Sequence, residues 1–196
     1  MQNRREKILN TFSSLVERYG INKTTMHDIA KEAGISVGTI YNDFANKQDL
    51  IDAFWQRVEN HCIRHLDELI AQKLPLEQLL RLIIIEHIKI FNDQIRRNRG
   101  VYEMMTNGMI TYIRRKIIDN RNIIKQELTK RVGLIISDGI KNGDFEAVDD
   151  IFGTAICFVE AFTEYWAPPL VLSRKQEDVI KDAESMFDFV IKALRK

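Results

Sequence analysis

The sequence contains few cysteines, few prolines and almost no net charge, and each scarcity limits its possible function. Its 196 residues include two Cys and three Pro, and 29 basic side chains nearly balance 28 acidic ones, which leaves a net charge of +1. Cys62 and Cys157 lie far apart in the sequence, so they form no close ligand pair, and we expect reduced thiols in a cytoplasm. Because the global charge gives no support for binding to a polyanion, any such function must rest on a local motif.

Long apolar segments are also missing. No uninterrupted apolar stretch approaches the roughly 20 residues that span a bilayer, and the charged N-terminus has no apolar signal core. We therefore expect a soluble, cytoplasmic protein with no membrane contact. Runs of alternating β-branched residues are absent too, whereas 45% of the residues are hydrophobic and long stretches are amphipathic. This pattern predicts an all-α fold.

A helix-turn-helix is predicted between Thr25 and Phe44. Thr25 and Asp28 have the spacing of a capping box, which starts a first helix. Gly34 suits the left-handed backbone that ends this helix, and Ser36 is a good cap for a second one. Such a corner holds the second helix at the surface, where its N-terminal residues can enter a major groove. On this spacing alone, a tight helical hairpin in an ordinary all-helical protein explains the pattern equally well.

The chemistry of the second helix favours an external partner. Tyr41 adds a hydroxyl group at its edge, and Lys47 lies in the first turn of the next helix, where a cation opposes the helix dipole. An outside phosphate, held by backbone N–H groups, the ammonium and nearby hydroxyls, would offset that cost. Between the apolar anchors Val37 and Phe44 the helix carries the short side chains of Gly38, Thr39, Asn42 and Asp43.

A wider pattern surrounds this motif and extends from Arg5 to about Leu50. Its residues are Tyr19-Gly20, Thr24-Thr25, Asp28-Ile29-Ala30, Ala33-Gly34-Ile35-Ser36, Gly38-Thr39-Ile40-Tyr41, Phe44, Lys47 and Leu50. With these residues the segment resembles the DNA-binding domain of the TetR family of bacterial transcriptional repressors. The resemblance implies that Val37, Gly38, Thr39 and Asn42 lie in or beside the groove. The full expected DNA-binding set is Thr25, Met26, His27, Ser36, Val37, Gly38, Thr39, Tyr41, Asn42 and Lys47, in which Thr25, Tyr41 and Lys47 hold phosphates.

Asp43 departs from the family pattern, which often has an aromatic residue or His at this position. A carboxylate near the DNA backbone would repel it, so Asp43 either accepts a hydrogen bond from cytosine or turns away. The neighbouring N-terminal segment gives modest electrostatic support, because residues 1–25 contain five basic and two acidic side chains. Arg4 and Arg5 belong to this group and are candidates to follow a phosphate backbone.

The chain is expected to form two parts. Residues 1–46 make a three-helix DNA-binding domain, and residues 47–196 make a larger helical domain for effector binding and dimerisation. Within the second part, residues 47–74 form a connecting helix. Because this helix is stiff, a small displacement at its far end would change the separation of the two DNA-binding domains of a dimer, each formed by residues 1–46 and called a reading head below. The first helix covers the three-helix core with the apolar face of Ile8, Phe12, Leu15, Val16 and Tyr19.

An enzyme or a metal-binding protein is the main alternative. His61 and His65 have the i, i+4 spacing of a metal pair, but no third ligand is evident, so we expect no metal. Glu86 and His87 interrupt an apolar helix and would supply acid and base groups. No catalytic triad, phosphate loop or metal quartet stands out, and we expect neither enzymatic activity nor a cofactor. A scaffold that binds only other proteins is a third possibility.

The effector site is predicted from interruptions in apolar helices. His87 is either a hydrogen-bonded core histidine or a polar contact inside a pocket. From Arg96 to Arg131, ten basic residues face three acidic ones, which indicates a solvated face or an anionic effector. A Met-rich, aromatic lining would instead suit a flat or flexible apolar molecule. The expected effector-binding residues are His87, Phe91, Met104, Met105, Asn120, Arg121, Phe158 and Phe162.

Two C-terminal helices are expected. Asp149-Asp150 favours a helix start, and that helix is predicted to run to Trp166 and stop at Pro168-Pro169. Ser173 and Gln176 have the spacing of a second capping box, which begins a helix that reaches Leu194. Such a pair is either a plain hydrophobic hairpin or, by the family resemblance, half of a four-helix bundle that joins two subunits through residues 149–166 and 173–194.

Together these features predict a homodimeric, ligand-responsive repressor. Its reading heads would enter successive major grooves about 34 Å apart or somewhat more, so the double-stranded operator should be a near-palindrome. A small-molecule effector in the helical body would favour a dimer whose heads are wrongly spaced, and this would release the DNA.

Overall fold

The computed structural model describes residues 4–97, 99 and 123–195, and this part of the chain contains helices and no strand. The prediction of an all-α fold is therefore confirmed. Short 3₁₀ turns cover Ile21–Lys23, Thr163–Trp166 and Ile191–Ala193. The helices are α1 Arg4–Tyr19, α2 Met26–Ala33, α3 Val37–Asp43, α4 Lys47–Ile70, α5 Leu76–Arg97, α6 Ile123–Asn142, α7 Ile151–Glu160, α8 Pro168–Ser173 and α9 Gln176–Val190.

The predicted caps set the ends of α2 and α3. The Thr25 hydroxyl accepts a hydrogen bond from the Asp28 amide, and the Asp28 carboxylate accepts one from the Thr25 amide, at 3.1 and 2.9 Å. Gly34 ends α2 in the left-handed region, with φ 65°. The Ser36 hydroxyl then accepts from the Thr39 amide at 3.1 Å and starts α3. The first amides of a helix have no partner within the helix, and these side chains bind them. Both helices therefore start where the sequence pattern predicted.

The chain divides into two compact units, of which the first contains residues 4–60. Its core joins one face of α1 to α2, α3 and the start of α4. Phe12 and Phe54 meet edge to face with their ring centroids 5.9 Å apart. The buried apolar side chains are Ile8, Leu9, Phe12, Leu15, Val16, Ile21, Met26, Ile29, Ala30, Ala33, Ile40, Phe44, Leu50, Ile51, Phe54 and Val58.

Tyr19 is an exception to the predicted apolar face of α1. It is the last residue of the helix, its side chain is 57% exposed, and Gly20 follows with φ 79°. The Arg18 guanidinium carbon lies 5.9 Å from the centroid of the Tyr19 ring. Val16, one turn earlier, is still buried in the core, whereas the Tyr19 ring at the end of the helix lies outside it.

The second unit contains residues 61–96 and 123–195, and its core surrounds α5. As the apolar pattern predicted, α5 is buried on most of its circumference. Close approach of α6 and α7 depends on small side chains: a Cβ atom at Gly133 would lie 3.5 Å from the Cβ of Ala155. The buried residues of α5 are Leu79, Leu80, Ile83, Ile84, Ile85, His87, Ile88, Asn92 and Ile95.

Several predicted helix ends are wrong. The connecting helix ends at Ile70 rather than near residue 74, and Lys73 adopts φ 48°. Asp150 caps α7 as expected, through a 2.9 Å bond from the Gly153 amide, but α7 ends at Glu160. Its last residues pass into the tighter 3₁₀ turn Thr163–Trp166, where the Tyr165 amide donates to the Phe162 carbonyl.

The second capping box is also wrong. Pro168 and Pro169 do not stop a helix; they begin α8, since a Pro at the first helical position lacks only an amide that would be unpaired anyway. Ser173 is consequently the last residue of α8, and its hydroxyl donates to the Leu170 carbonyl at 2.9 Å. The N-cap of α9 is Lys175, whose side chain makes no capping bond. Among the described helices, none is both long and apolar enough to cross a membrane.

Candidate functional site

The second helix of the motif, α3, is buried on one side and open on the other. Ile40 and the adjoining Phe44 are 0% and 2% exposed, so they anchor α3 in the core of the first unit. On the opposite side Gly38 and Asn42 are exposed, and Tyr41 is 50% exposed. This face therefore presents short side chains and one phenol to an external surface, as the sequence predicted for a helix that enters a groove.

The N-terminal turn of α3 is preorganised by two hydroxyl groups. Ser36 Oγ and Thr39 Oγ1 lie 2.8 Å apart and share one hydrogen bond. The space above Gly38 is open: a Cβ there would meet the Ser36 Oγ at 3.8 Å and nothing closer. Packing within this unit does not require a glycine at this position, and the missing side chain leaves the helix backbone accessible from outside. Val37 is partly buried beside it.

The start of α2 differs in part from the expected phosphate site. The Thr25 hydroxyl donates to the Asp28 carboxylate at 2.6 Å, so its proton is already used within the capping box. These bonds from Thr25 lower the pKa of Asp28. Met26 is 7% exposed and packs in the core, whereas His27 is exposed. The first-turn amides of Met26 and His27 lie at the same helix start.

Lys47 holds a different contact from the one expected. Its ammonium donates a hydrogen bond to the carbonyl oxygen of Ile21, in the turn between α1 and α2. The contact is partly buried, and this burial lowers the pKa of Lys47. An ammonium has three donors, so a phosphate contact is still open to Lys47. Asn46 caps α4 beside it, accepting from the Asp49 amide at 3.0 Å.

Asp43 is turned toward α1, which resolves the two possibilities left open by the sequence. Arg4 donates from Nε and Nη2 to the two carboxylate oxygens of Asp43, at 2.6 and 2.8 Å. Arg5 donates to the Asp43 carbonyl at 3.1 Å, and its guanidinium carbon lies 4.3 Å from the centroid of the Phe44 ring. The bonds from Arg4 lower the pKa of Asp43. Sequence reasoning missed this pair, although the unusual acidic residue at position 43 was a signal.

Comparison with known families identifies this arrangement of helices. Residues 8–54 match the family model described as bacterial regulatory proteins, tetR family. Residues 8–54 are a TetR-family DNA-binding domain. The resemblance inferred from the motif is thus confirmed over these residues, and the chain is a DNA-binding transcriptional regulator.

Individual relatives agree with this assignment. This chain is 27% identical over 154 residues to a protein named HTH-type transcriptional repressor KstR2 of Mycobacterium tuberculosis, and the match covers 77% of this chain and 74% of that protein. A transcriptional regulator from Cytophaga hutchinsonii has the same fold, with a TM-score of 0.78, 20% identity and coverage of 97% and 98%. The structure of the transcriptional regulator FadR of Bacillus subtilis in complex with stearoyl-CoA is also similar. Its TM-score is 0.68 at 19% identity, and the match covers 95% of this chain and 97% of that chain.

The enzyme alternative is not retained, because the named relatives are regulators and repressors. The histidines on which it depended are not brought together as a ligand set. His61 is exposed, and His65 Nδ1 lies 3.6 Å from a carboxylate oxygen of Glu68. Within the described ranges no group of three or more His, Cys, Asp or Glu residues is placed to hold a metal ion.

The expected effector residues fall into three groups. His87 is buried against Trp166, edge to face at 5.1 Å between ring centroids, and stacks on Phe91 at 6.0 Å. Burial lowers the pKa of His87 to about 4, so the imidazole is neutral. Phe158 and Phe162 instead pack on Phe187 in the core of the second unit. Met104, Met105, Asn120 and Arg121 lie outside the described residues.

Two further polar residues, Asn92 and Arg96, follow His87 on α5, and sequence reasoning missed them. Asn92 is fully buried, and its Nδ2 donates to the carbonyls of Ile88 and Tyr165, each at 2.8 Å. Arg96 Nη2 donates to the Arg174 carbonyl at 2.7 Å. The Asn92 Oδ1 and the Arg96 Nε are buried and have no hydrogen-bond partner in the part of the chain that the structure describes. The available signal was a polar residue at helical spacing between Ile88 and Ile95.

Proposed function

We propose that this protein is a homodimeric repressor that binds a near-palindromic operator and is released by a small-molecule effector. The observation that carries the proposal is the exposed face of α3, which Ser36 caps at one end and Ile40 and Phe44 fix from behind. A short helix held this way can lie in a major groove without losing its own packing. In this proposal residues 1–46 bind DNA where the chromosome lies, in the cytoplasm, and residues 47–196 bind the effector and the second subunit.

The dimer is supported by apolar side chains left exposed on α7 and α9. Phe152 and Ile156 are four residues apart on α7 and are 66% and 38% exposed, and Phe189 on α9 is 72% exposed. Soluble monomers seldom leave large aromatic side chains so open, and symmetric helical interfaces bury such positions. We therefore keep the two C-terminal segments, 149–166 and 173–194, as the surface that meets a second copy.

The operator follows from this symmetry. Two copies related by a twofold axis would place their α3 helices in grooves about one helical turn, or ~34 Å, apart or somewhat more. Tyr41, Lys47 and the first-turn amides of α2 would contact backbone phosphates, while Val37, Gly38, Thr39 and Asn42 would lie against base edges.

Selection from a random duplex library tests the operator directly. The protein should enrich a sequence with two inverted half-sites, and a gel-shift titration should show binding to it that scrambled duplex does not match at physiological salt. Enrichment of a single asymmetric site would contradict the dimeric arrangement. A protein scaffold would enrich no sequence, and that result would overturn the function itself.

For the effector, we propose a site that includes Asn92 and Arg96, which lie one helical turn apart on α5, together with the rings of His87 and Phe91. Buried polar atoms in proteins nearly always have a partner, so the lone Asn92 Oδ1 and Arg96 Nε are groups that a bound molecule can satisfy. His87 contacts Phe91 and Trp166, and Trp166 directly follows Tyr165, whose carbonyl Asn92 binds. These rings would hold the effector's apolar part. We assign Phe158 and Phe162 to packing, because both rings fill the core against Phe187.

The free atoms also define the effector's polar end. Arg96 Nε is a donor and Asn92 Oδ1 is an acceptor, since the Asn92 amide nitrogen already faces two carbonyls. An amide or a hydroxyl group offers both an acceptor and a donor, whereas a carboxylate offers only acceptors and would be repelled by Asn92 Oδ1. The proposed effector is therefore an apolar molecule with an uncharged amide or hydroxyl end.

A matched set of probes tests this site. Octanamide, octan-1-ol and octanoate share an apolar chain and differ at the polar end, so the amide and the alcohol should raise the melting temperature more and release more DNA. Asn92→Leu should abolish this preference, while Asn142→Leu, at an exposed asparagine, should keep it. Preference for octanoate would contradict the proposed polar end. Equal responses to all three probes would indicate that water satisfies both atoms.

A further inference from the structure

The ion pair between Arg4 and Asp43 lies at the end of the helix that is proposed to read DNA. Asp43 is the last residue of α3 and follows the exposed Asn42. Both carboxylate oxygens are occupied by one guanidinium group, and the two side chains are 55% and 16% exposed. The pair thus joins the first turn of α1 to the C-terminal end of α3 with two parallel hydrogen bonds.

Such a pair has a consequence for polyanion binding. An arginine that approaches a phosphate displaces a condensed counterion, and each displaced ion contributes about 0.9 to the salt dependence of binding to duplex DNA. Arg4 in its closed pair with Asp43 is electrically neutral and displaces none. A bidentate pair with a carboxylate that is 16% exposed also contributes to folding stability, so its effect on DNA binding has to be measured separately from unfolding.

We propose that Asp43 withholds Arg4 from the DNA backbone and thereby lowers the sequence-independent affinity of the reading head. The proposal rests on the DNA-binding function above and adds a residue that sets the balance between general and operator-specific binding. It also accounts for the acidic residue at position 43: the carboxylate is neutralised within the protein instead of facing a phosphate. Arg5 is not affected by the same control, because it binds the backbone carbonyl of Asp43.

The same unit contains a matched control pair. Arg18 Nη2 lies 2.9 Å from a Glu32 carboxylate oxygen, and both side chains are 49% exposed. This pair also joins α1 to a helix of the motif, but Glu32 lies on α2 and near its C-terminal end. Asp43→Asn and Glu32→Gln each remove one negative charge and keep the shape of the side chain. Net charge alone would make the two variants equivalent, whereas the proposal makes them different.

The experiment measures binding to a short duplex of arbitrary sequence between ~50 and ~200 mM salt. Asp43→Asn should bind roughly three- to tenfold more tightly at the lowest salt, and its plot of log affinity against log salt should be steeper by about 0.9. Glu32→Gln should stay within about twofold of the wild type with an unchanged slope. Thermal unfolding of both variants checks that the fold is kept.

Two further variants complete the test. Arg4→Gln leaves the Asp43 carboxylate unpaired at the proposed DNA face, so it should bind less tightly than the wild type with no steeper slope. The double variant Arg4→Gln/Asp43→Asn should return close to wild-type binding. Equal effects of Asp43→Asn and Glu32→Gln, or weaker binding by Asp43→Asn, would overturn the inference and leave the proposed function intact. Absence of DNA binding by every variant would overturn both.

Discussion

The Lys47 ammonium donates a hydrogen bond to the carbonyl oxygen of Ile21, 26 residues earlier in the chain. Ile21 opens the 3₁₀ turn between α1 and α2, and Lys47 is the first residue of α4. The contact therefore ties the start of α4 to the segment that precedes the helix-turn-helix. One partly buried cation at this position serves the fold and is also a candidate to hold DNA.

The two roles of Lys47 are separable by substitution. Lys47→Ala should lower the free energy of unfolding by about 1 kcal/mol, because the Ile21 carbonyl loses its partner. Lys47→Gln keeps a donor but removes the charge, so it should remain closer to wild-type stability. Both variants should flatten the salt dependence of DNA binding by about 0.9. Gel-shift titrations over a salt series measure DNA binding, and chemical denaturation measures stability. Unaltered DNA binding by Lys47→Ala would show that Lys47 does not contact DNA.

Residues on the exposed face of α3 should divide into two classes. Substitution of Thr39 or Asn42 by Ala should change which bases are preferred in a half-site, at a cost of about 1–3 kcal/mol for the original operator. Tyr41→Phe removes only a hydroxyl group, so it should weaken binding to all duplexes by a similar factor. Binding profiles across a randomised half-site distinguish these results. An unchanged base preference in both Thr39→Ala and Asn42→Ala would mean that α3 does not read the groove.

The capping box of α2 should contribute to stability in a pH-dependent way. Thr25→Val removes the hydroxyl that accepts from the Asp28 amide and should cost about 1 kcal/mol. Because its bonds with Thr25 lower the pKa of Asp28, the ionised carboxylate stabilises the fold above the unfolded pKa of 3.8. That contribution is lost as the pH falls through the lowered pKa. Thermal unfolding at neutral and acidic pH should therefore show a smaller difference between Thr25→Val and the wild type in acid.

Charge placed on the exposed apolar face should disrupt the proposed dimer. Phe152→Glu and Phe189→Glu put a carboxylate at two aromatic positions of α7 and α9 that we expect a second copy to cover. Sedimentation equilibrium should show a monomer for each variant at concentrations where the wild type is a dimer. Leu134→Glu is the control, since Leu134 is 59% exposed on α6, outside the proposed interface. A dimer that survives both aromatic substitutions would place the interface elsewhere.

His87 should make stability depend on pH between about 4 and 6.5. Its folded pKa is lowered from 6.5 to about 4 by burial, so the unfolded chain binds more protons in this range. The contribution of the neutral His87 to the free energy of unfolding is therefore fully present above pH 6.5. It decreases as the pH falls, by about 2 kcal/mol at pH 5. His87→Gln should lose this decrease, and His61→Gln, at an exposed histidine, should keep it. Denaturant titrations at several pH values measure the difference, and identical profiles for His87→Gln and the wild type would contradict the burial of a neutral imidazole.

Local patterns predicted the reading head well because its signals act over a few residues. The structure contains every predicted start and end signal of α2 and α3. The side chains of Thr25, Asp28 and Ser36 make the capping hydrogen bonds at the helix starts, and Gly34 ends α2. Each of these signals acts within about four positions of the chain. The C-terminal region was predicted less well. There, Pro168 starts α8 instead of ending a longer helix, and this displaced Ser173 from its expected cap. A proline is compatible with either position, so the local sequence was not sufficient.

The amino-acid sequence by itself determined the all-α class and the capped helix-turn-helix that resembles the TetR family, because periodicity and caps depend on neighbours in the chain. Tertiary structure decided which polar groups meet. Asp43 is paired with Arg4 across 39 positions, Lys47 with the Ile21 carbonyl, and Asn92 with the Tyr165 carbonyl 73 positions away. No spacing rule predicts such contacts, since they depend on how folded helices pack, and they determine which polar groups remain available to DNA or to an effector.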